Sequence, residues 1–278
     1  MLLKITAMNK ILFLFLGFIF STSLLNAQGK AKYEKIYYKD VQFENEIVKV
    51  VIDNIVSLPK ETKFRISIDN KSNEYLIYNA EESNFVIAGQ DVRAKDKSFI
   101  IEPNSSKKKV FRAFGEGLNA ITKFNFMCEG FYSVKMQNPL TAERFKLPAS
   151  KNNFKVGNFD VTMASVFKET NRTDVKFNVV YNGNNIGFVF PASAAVTMPD
   201  GNSYASTKSK DDAILLKKGE KESFTATWER MVGGKLNDMQ LVEMWVTFEN
   251  VFSEGIQTRF AGATLEIVWD EALTEGKK

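Results

Sequence analysis

Two similar stretches decide the fold of this chain, Lys63-Phe64-Arg65-Ile66-Ser67-Ile68-Asp69-Asn70 and Lys176-Phe177-Asn178-Val179-Val180-Tyr181-Asn182-Gly183. Alternating apolar and polar residues predict a strand with one buried face. The Asp-Asn and Asn-Gly pairs predict the turn that follows each strand. The two stretches lie 113 residues apart, so the chain must first be searched for an internal repeat.

Further matches follow in the same order along the chain. Residues 75–77 match 188–190 at offset 113; Val110, Arg112 and Phe114 match Phe224, Ala226 and Trp228 at offset 114; residues 121–129 match 241–249, and Phe145 and Leu147 match Leu265 and Ile267, at offset 120. Small increases of the offset are what loop insertions produce. The preserved order indicates that the chain contains one unit twice.

Strand signals dominate both halves, and segments with helical periodicity are scarce. The sequence therefore predicts an all-β fold with two tandem immunoglobulin-like β-sandwich domains, at residues 28–148 and 149–278. The boundary falls at the polar stretch that Pro148 opens. The 24 phenylalanines suit the thin apolar core of a sandwich.

Each half has a β-rich run into an Asp/Asn-Asn/Gly turn, an aromatic-aliphatic strand, a Lys/Ser-rich segment and a strand ending at Phe114 or Trp228. This order resembles the immunoglobulin-like, or telokin-like, modules of exported bacterial envelope proteins. The Lys/Asn/Phe-rich composition is similar to that of Bacteroidetes secreted proteins. The resemblance implies a binding or scaffold role and transfers no catalytic residue. The second half departs from the first at residues 217–219, Lys-Lys-Gly in place of Glu-Pro-Asn.

Residues 1–27 have the features of a secretory signal peptide. Lys4 and Lys10 give the positive start, an apolar stretch of about 15 residues follows, and Ala27 ends the segment. An uncleaved membrane anchor is the alternative, but a spanning helix needs about 20 apolar residues. We therefore expect an exported protein, periplasmic or at the cell surface, with no transmembrane segment after cleavage.

The composition excludes several kinds of site. The chain has no histidine and one cysteine, which excludes Ser-His and Cys-His catalytic pairs, histidine-ligated metals and multi-cysteine metal sites. No catalytic residue, metal ligand or cofactor is assigned. The net charge is +4 and becomes +2 when the two signal lysines are removed, which gives no electrostatic reason to expect nucleic-acid binding.

Four residues are candidates for ligand binding. Lys107, Lys108 and Lys109 could bind an anionic glycan or lipid head group; alternatively, they are a solvated edge that prevents sheet-to-sheet pairing. Trp245 lies between Met244 and Val246 in a predicted strand, so its side chain faces away from these apolar neighbours and could stack on a sugar.

Other conspicuous residues have simpler interpretations. We expect Trp228 to lie in the core and Trp269 in the core or at its rim. Cys128 aligns with Phe248 in a strand, which predicts a buried, inert thiol, with an intermolecular disulfide as the alternative. The G-x-G-x-x-A run at residues 115–120 precedes an alternating, strand-like segment rather than a helix, so it predicts a turn and not a dinucleotide site.

The absence of a catalytic constellation predicts a non-enzymatic binding or scaffold protein of the cell envelope. It would recognise a partner protein through sandwich loops or strand edges. A pair of carbohydrate-binding modules using Trp245 is the alternative. A carboxylate-type glycoside hydrolase ranks third, because two small sandwiches offer no deep cleft.

Overall fold

The computed structural model describes residues 32–94, 97–149, 151–207, 213–230 and 238–277. The predicted signal segment, residues 1–27, lies outside this part of the chain. Strands predominate and pair into antiparallel sheets, which confirms the all-β prediction. Within the described residues, no helix has the length and apolar character needed to cross a membrane.

The first half supplies eleven of the strands. They are β1 (Ile36–Tyr37), β2 (Val41–Glu44), β3 (Val48–Ser57), β4 (Glu61–Asn70), β5 (Tyr75–Tyr78), β6 (Asn84–Ile87), β7 (Gln90–Arg93), β8 (Phe99–Ile101), β9 (Ser106–Phe114), β10 (Lys123–Cys128) and β11 (Phe131–Met136). Short 3-10 turns occur at Ala80–Glu82 and Leu118–Ala120.

The last strand of the first repeat and the strands of the second repeat follow. They are β12 (Phe145–Leu147), β13 (Asn153–Val156), β14 (Phe159–Lys168), β15 (Arg172–Tyr181), β16 (Ile186–Val189), β17 (Ala195–Thr197), β18 (Ser203–Ala205), β19 (Ile214–Leu216), β20 (Lys221–Glu229), β21 (Met244–Thr247), β22 (Phe252–Phe260) and β23 (Ala263–Val268). A 3-10 turn lies at Pro191–Ser193, and the helix α1 (Glu271–Gly276) follows β23.

The strands build two sandwich-like halves joined by a shared sheet. In the first half, the sheet β1-β3-β4-β9, with β2 also paired to β3, packs against the sheet β23-β10-β6-β7. In the second half, β13-β14-β15-β20 packs against β12-β21-β17-β18. A six-stranded sheet, β19-β16-β22-β11-β5-β8, takes three strands from each half, so β11 and β22 pair where the halves meet.

The pairing registers repeat between the halves. Phe64 lies opposite Phe111, and Phe177 lies opposite Phe224, so both members of the pair recur at offset 113. This register corrects the match of Phe114 with Trp228, which is wrong by one residue. Trp228 is buried as predicted, whereas Phe114 is 58% exposed, because successive strand residues face opposite sides.

The last strand of each repeat pairs with the other half. Strand β12 ends the first repeat but lies beside β21, with Phe145 opposite Val246. Strand β23 ends the second repeat but lies beside β10, with Leu265 opposite Phe126. The two strands occupy equivalent places, since Leu265 follows Phe145 by 120 residues and Val246 follows Phe126 by the same number. The predicted boundary at residues 148 and 149 stays a prediction, and each apolar core contains a strand from the far side of that boundary.

Candidate binding site

A cleft of about 730 Å³ opens between the two halves. Strands β8 and β19 are the two ends of the six-stranded sheet, yet residues of both line this one cleft. The sheet must therefore curve until its ends approach each other. An end strand has one unpaired row of backbone N–H and C=O groups, so the cleft lies between two strand edges.

The cleft is continuous with a third apolar cluster on one face of the shared sheet. Ile77, Val134, Ile186 and Phe188 are buried there, and the partly buried Ile100 and Leu215 connect them to the cleft wall. Gly255 makes this packing possible. A Cβ atom at that position would overlap Val134 Cγ1.

The rim of the cleft carries both signs of charge equally. Four of its lining residues are lysines and four are glutamates, namely Lys97, Lys107, Lys217, Lys221, Glu81, Glu102, Glu220 and Glu222. Their formal charges cancel, so the cleft has no overall preference for an anion. The β4–β9 and β15–β20 registers place Glu220 and Glu222 where the first half has Lys107 and Lys109.

The structure separates the three candidate lysines. Lys107 is half-buried and lines the cleft. Lys109 lies on the same side of β9, with its Nζ 5.9 Å from the centre of the Phe99 ring. Lys108 is exposed and, by strand alternation, faces the other side. Strand β9 ends its sheet, as the edge interpretation of these lysines requires.

Trp245 is half-buried on the outer side of β21, between Lys146 of β12 and Thr197 of β17. Lys146 Nζ lies 6.0 Å from the Trp245 ring centre and 2.7 Å from Glu243 Oε1. The three tryptophans do not meet. Trp228 is buried in the second core and donates from Nε1 to Ala194 O over 3.1 Å. Trp269 packs at the rim of the first core.

Cys128 is fully buried in the first core, with its Sγ 3.5 Å from Tyr78 Oη. Burial raises the pKa of its thiol to about 12, because the thiolate would be desolvated. The predicted burial of the thiol is confirmed, and a disulfide to another chain would require this strand to open. The Gly115 segment leads through the turn Leu118–Ala120 into β10, which confirms that it does not begin an α-helix.

The cleft is not evident from the sequence, since its walls come from segments more than 100 residues apart. The one sequence feature that coincides with the cleft is the pair of lysine-rich segments near residues 107 and 217, which lie on its two sides. In the part of the chain that the structure describes, no group of three or more Cys, Asp or Glu side chains is placed to hold a metal ion.

Comparison with known proteins gives no family. No family model and no curated protein matches the chain. Among solved structures, the yjhA protein from Bacillus subtilis covers 32% of this chain and 78% of its own length, at 8% identity and a TM-score of 0.28. The secreted serine protease VesC from Vibrio cholerae covers 89% of this chain and 53% of its own length, at 11% identity and a TM-score of 0.16.

Proposed function

We propose that this chain is an exported, non-enzymatic binding or scaffold protein of the bacterial cell envelope, built from two tandem immunoglobulin-like sandwiches. The cleft binds an extended segment of a partner protein. One observation carries the proposal: the two ends of the shared sheet, β8 and β19, line the same cleft. A peptide in the cleft can pair with an unpaired strand edge, which is how many proteins bind extended segments.

The lining of the cleft fits a polypeptide better than an anionic polymer. Phe99, Ile100, Ile214 and Leu215 offer apolar contacts to alternate side chains of a bound strand. The balanced lysines and glutamates can pair with both signs of charge on a mixed peptide. A nucleic acid or an acidic glycan would instead be repelled by half of the rim.

Site-specific photo-crosslinking in native cells tests this proposal. A benzophenone amino acid replaces Lys217 at the cleft, and the matched control replaces Lys155, an exposed lysine of β13 that does not line the cleft. We expect a discrete protein adduct from position 217 and none from position 155. The adduct must weaken when Leu215→Asp places a charge on the apolar wall. Equal adducts at both positions, or insensitivity to Leu215→Asp, would contradict the proposal.

Export is tested separately. Deleting residues 1–27 must retain the protein in the cytoplasm, while the full chain reaches the periplasm or the cell surface in cell fractionation. Cytoplasmic retention of both forms would remove the envelope assignment.

A carbohydrate-binding role remains the second candidate because Trp245 keeps part of its ring exposed beside Lys146. An aromatic ring with an adjacent polar group can stack on a sugar face. A glycan array with Trp245→Ala as the comparison decides this point. Binding that disappears in Trp245→Ala supports the role, and an array with no signal for the native chain removes it.

A further inference from the structure

Among the residues that the structure describes, the two halves differ at one sheet edge, where a core-side valine of the second half is partly exposed. In the first half, β1 covers the outer edge of β3, with Ile36 opposite Ser57 and Tyr37 opposite Val56. In the second half, β13 pairs with β14 only as far as Thr162. Beyond Met163, no described strand lies on the outer edge of β14.

The registers identify the equivalent positions. Ser57 lies opposite Thr62 in β4, and Val166 lies opposite Val175 in β15. Val175 follows Thr62 by 113 residues, the offset of the repeat, so Val166 is the structural equivalent of Ser57. Directly opposite residues share a face of the sheet. Because Val175 is fully buried, Val166 also lies on the core side. Val166 is nevertheless 40% exposed, whereas Ser57 is fully buried.

Strand β1 shows what closes such an edge. Ile36 and Tyr38, two residues apart, are both buried. Tyr38 forms a hydrogen bond with Ser57 Oγ at 2.9 Å, and its backbone N–H donates to Ile55 O at 3.1 Å. The closing segment is therefore an antiparallel strand with bulky apolar side chains at alternate positions.

The second repeat does not supply such a segment from its own sequence. At offset 113, Ala149 stands in place of Ile36 and Lys151 in place of Tyr38. Pro148 precedes them and lacks the N–H needed for strand pairing. The neighbouring Phe167 is 56% exposed and lies opposite Asp174, so it faces the other side of the sheet from Val166. An unpaired strand edge is a template on which another strand can add.

We infer that the outer edge of β14, at residues 164–167, binds an extended strand of a partner protein that carries bulky aliphatic and aromatic residues two positions apart. The strand pairs antiparallel with β14 and covers Val166, as Ile36 and Tyr38 cover the equivalent edge. This inference rests on the proposed binding function and identifies a second contact outside the cleft.

The probe is a synthetic peptide of residues 34–40, Glu-Lys-Ile-Tyr-Tyr-Lys-Asp, which contains the β1 strand. Fluorescence anisotropy with the mature chain measures its binding. We expect Val166→Asp to weaken binding by about tenfold or more, since a buried apolar contact is replaced by a desolvated charge. The matched control is Val110→Asp, at a 46% exposed valine of edge strand β9, and it leaves the affinity unchanged.

A second variant tests the same edge independently, in case Val166→Asp does not fold. Ala149→Ile combined with Lys151→Tyr gives the second half its own β1-like segment. We expect this variant to stay folded and to bind the peptide about tenfold more weakly or worse, because the edge is already covered. A peptide with Asp in place of Ile36 and Tyr38 must also bind weakly.

Three results would overturn the inference. They are no binding of the peptide, equal binding to the native and Val166→Asp chains, and a concentration-dependent dimer that Val166→Asp abolishes, which would assign the edge to a second copy. The cleft cross-link at position 217 separates this inference from the proposed function. A lost peptide site with an intact cleft adduct removes only the edge proposal, and the reverse result removes only the cleft.

Discussion

Replacing Ile267 with alanine tests the exchange of terminal strands between the halves. Ile267 belongs to the last strand of the second repeat, yet it is fully buried in the first core and lies opposite Phe124. Truncating a fully buried isoleucine to alanine costs about 2–5 kcal/mol, from lost burial and the cavity left behind. A loss of about 3 kcal/mol would lower the melting temperature of a chain this long by about 6–12 °C.

The three tryptophans provide an assay that reads both halves at once. Trp269 packs against the first core, and Trp228 is buried in the second. Labelling with 5-fluorotryptophan and following each fluorine resonance in urea gives a midpoint for each half. The halves share a sheet and exchange strands, so we expect Ile267→Ala to lower both midpoints together.

The neighbouring residue provides the matched control. Val268 is in the same strand but 38% exposed, and Val268→Ala is expected to change the free energy of unfolding by no more than about 0.5 kcal/mol. The reasoning is refuted if Trp269 unfolds earlier in Ile267→Ala while the Trp228 midpoint stays at its native value. That result would mean that the halves unfold independently.

The remaining predictions concern register, thiol access and alkaline stability. Phe111→Ala should destabilise the chain by about 3–5 kcal/mol and Phe114→Ala by no more than about 0.5 kcal/mol in urea unfolding, since only Phe111 faces the core; equal losses would contradict the register. Cys128 should not react with a thiol reagent in the native chain at pH 8 but should react in denaturant; rapid native labelling would contradict its burial. Burial raises the pKa of Tyr38 from 10.0, and of Cys128 from 9.0, to about 12. These two groups should therefore contribute their full stabilisation below the ordinary pKa values, and the free energy of unfolding should fall as pH rises from there towards 12. Tyr38→Phe should make this fall with pH less steep. An equally steep fall in Tyr38→Phe would exclude Tyr38 as a cause.

Local pattern and internal repetition were sufficient for the strands and for much of the core. Alternation around Phe64 and Phe177 predicted two strands whose phenylalanines are fully buried. The alignment of Cys128 with Phe248 predicted a buried thiol, and both side chains lie in their cores. These predictions depend on the two-residue period of a strand and on the internal repeat, both of which can be read from the sequence.

Register and pairing required information from outside each segment. The offset of 114 aligns Phe114 with Trp228, whereas the strand pairing gives an offset of 113 and places Gly115 at the position equivalent to Trp228. A slip of one residue is inconspicuous in sequence but reverses the face of every side chain. The partly exposed edge of β14 is not evident from the sequence for a similar reason, since it depends on which of the described strands lie beside Val166.

The exchanged strands show why topology is harder to predict than secondary structure. Phe145-x-Leu147 and Leu265-x-Ile267 have the same apolar pattern, and each occupies an equivalent place beside β21 or β10. The apolar pattern of either strand suits either core. Composition and periodicity therefore do not decide whether each terminal strand pairs within its own repeat or with the other repeat. The choice depends on the connections, which lead from β11 into the second half and from β22 back into the first.

The same connections bear on how the cleft would bind a partner. The cleft lies between halves that are joined by hydrogen bonds from Phe131–Phe260 to Met136–Gly255 and by a strand contributed in each direction. Separating its walls would break sheet pairing and expose core residues such as Leu147 and Ile267. In the proposed function, this pairing would hold the cleft walls together before a ligand arrives, so binding would lose less conformational entropy than between two modules on a linker. The exchange of strands thus favours recognition by a preformed cleft over closure of two independent modules.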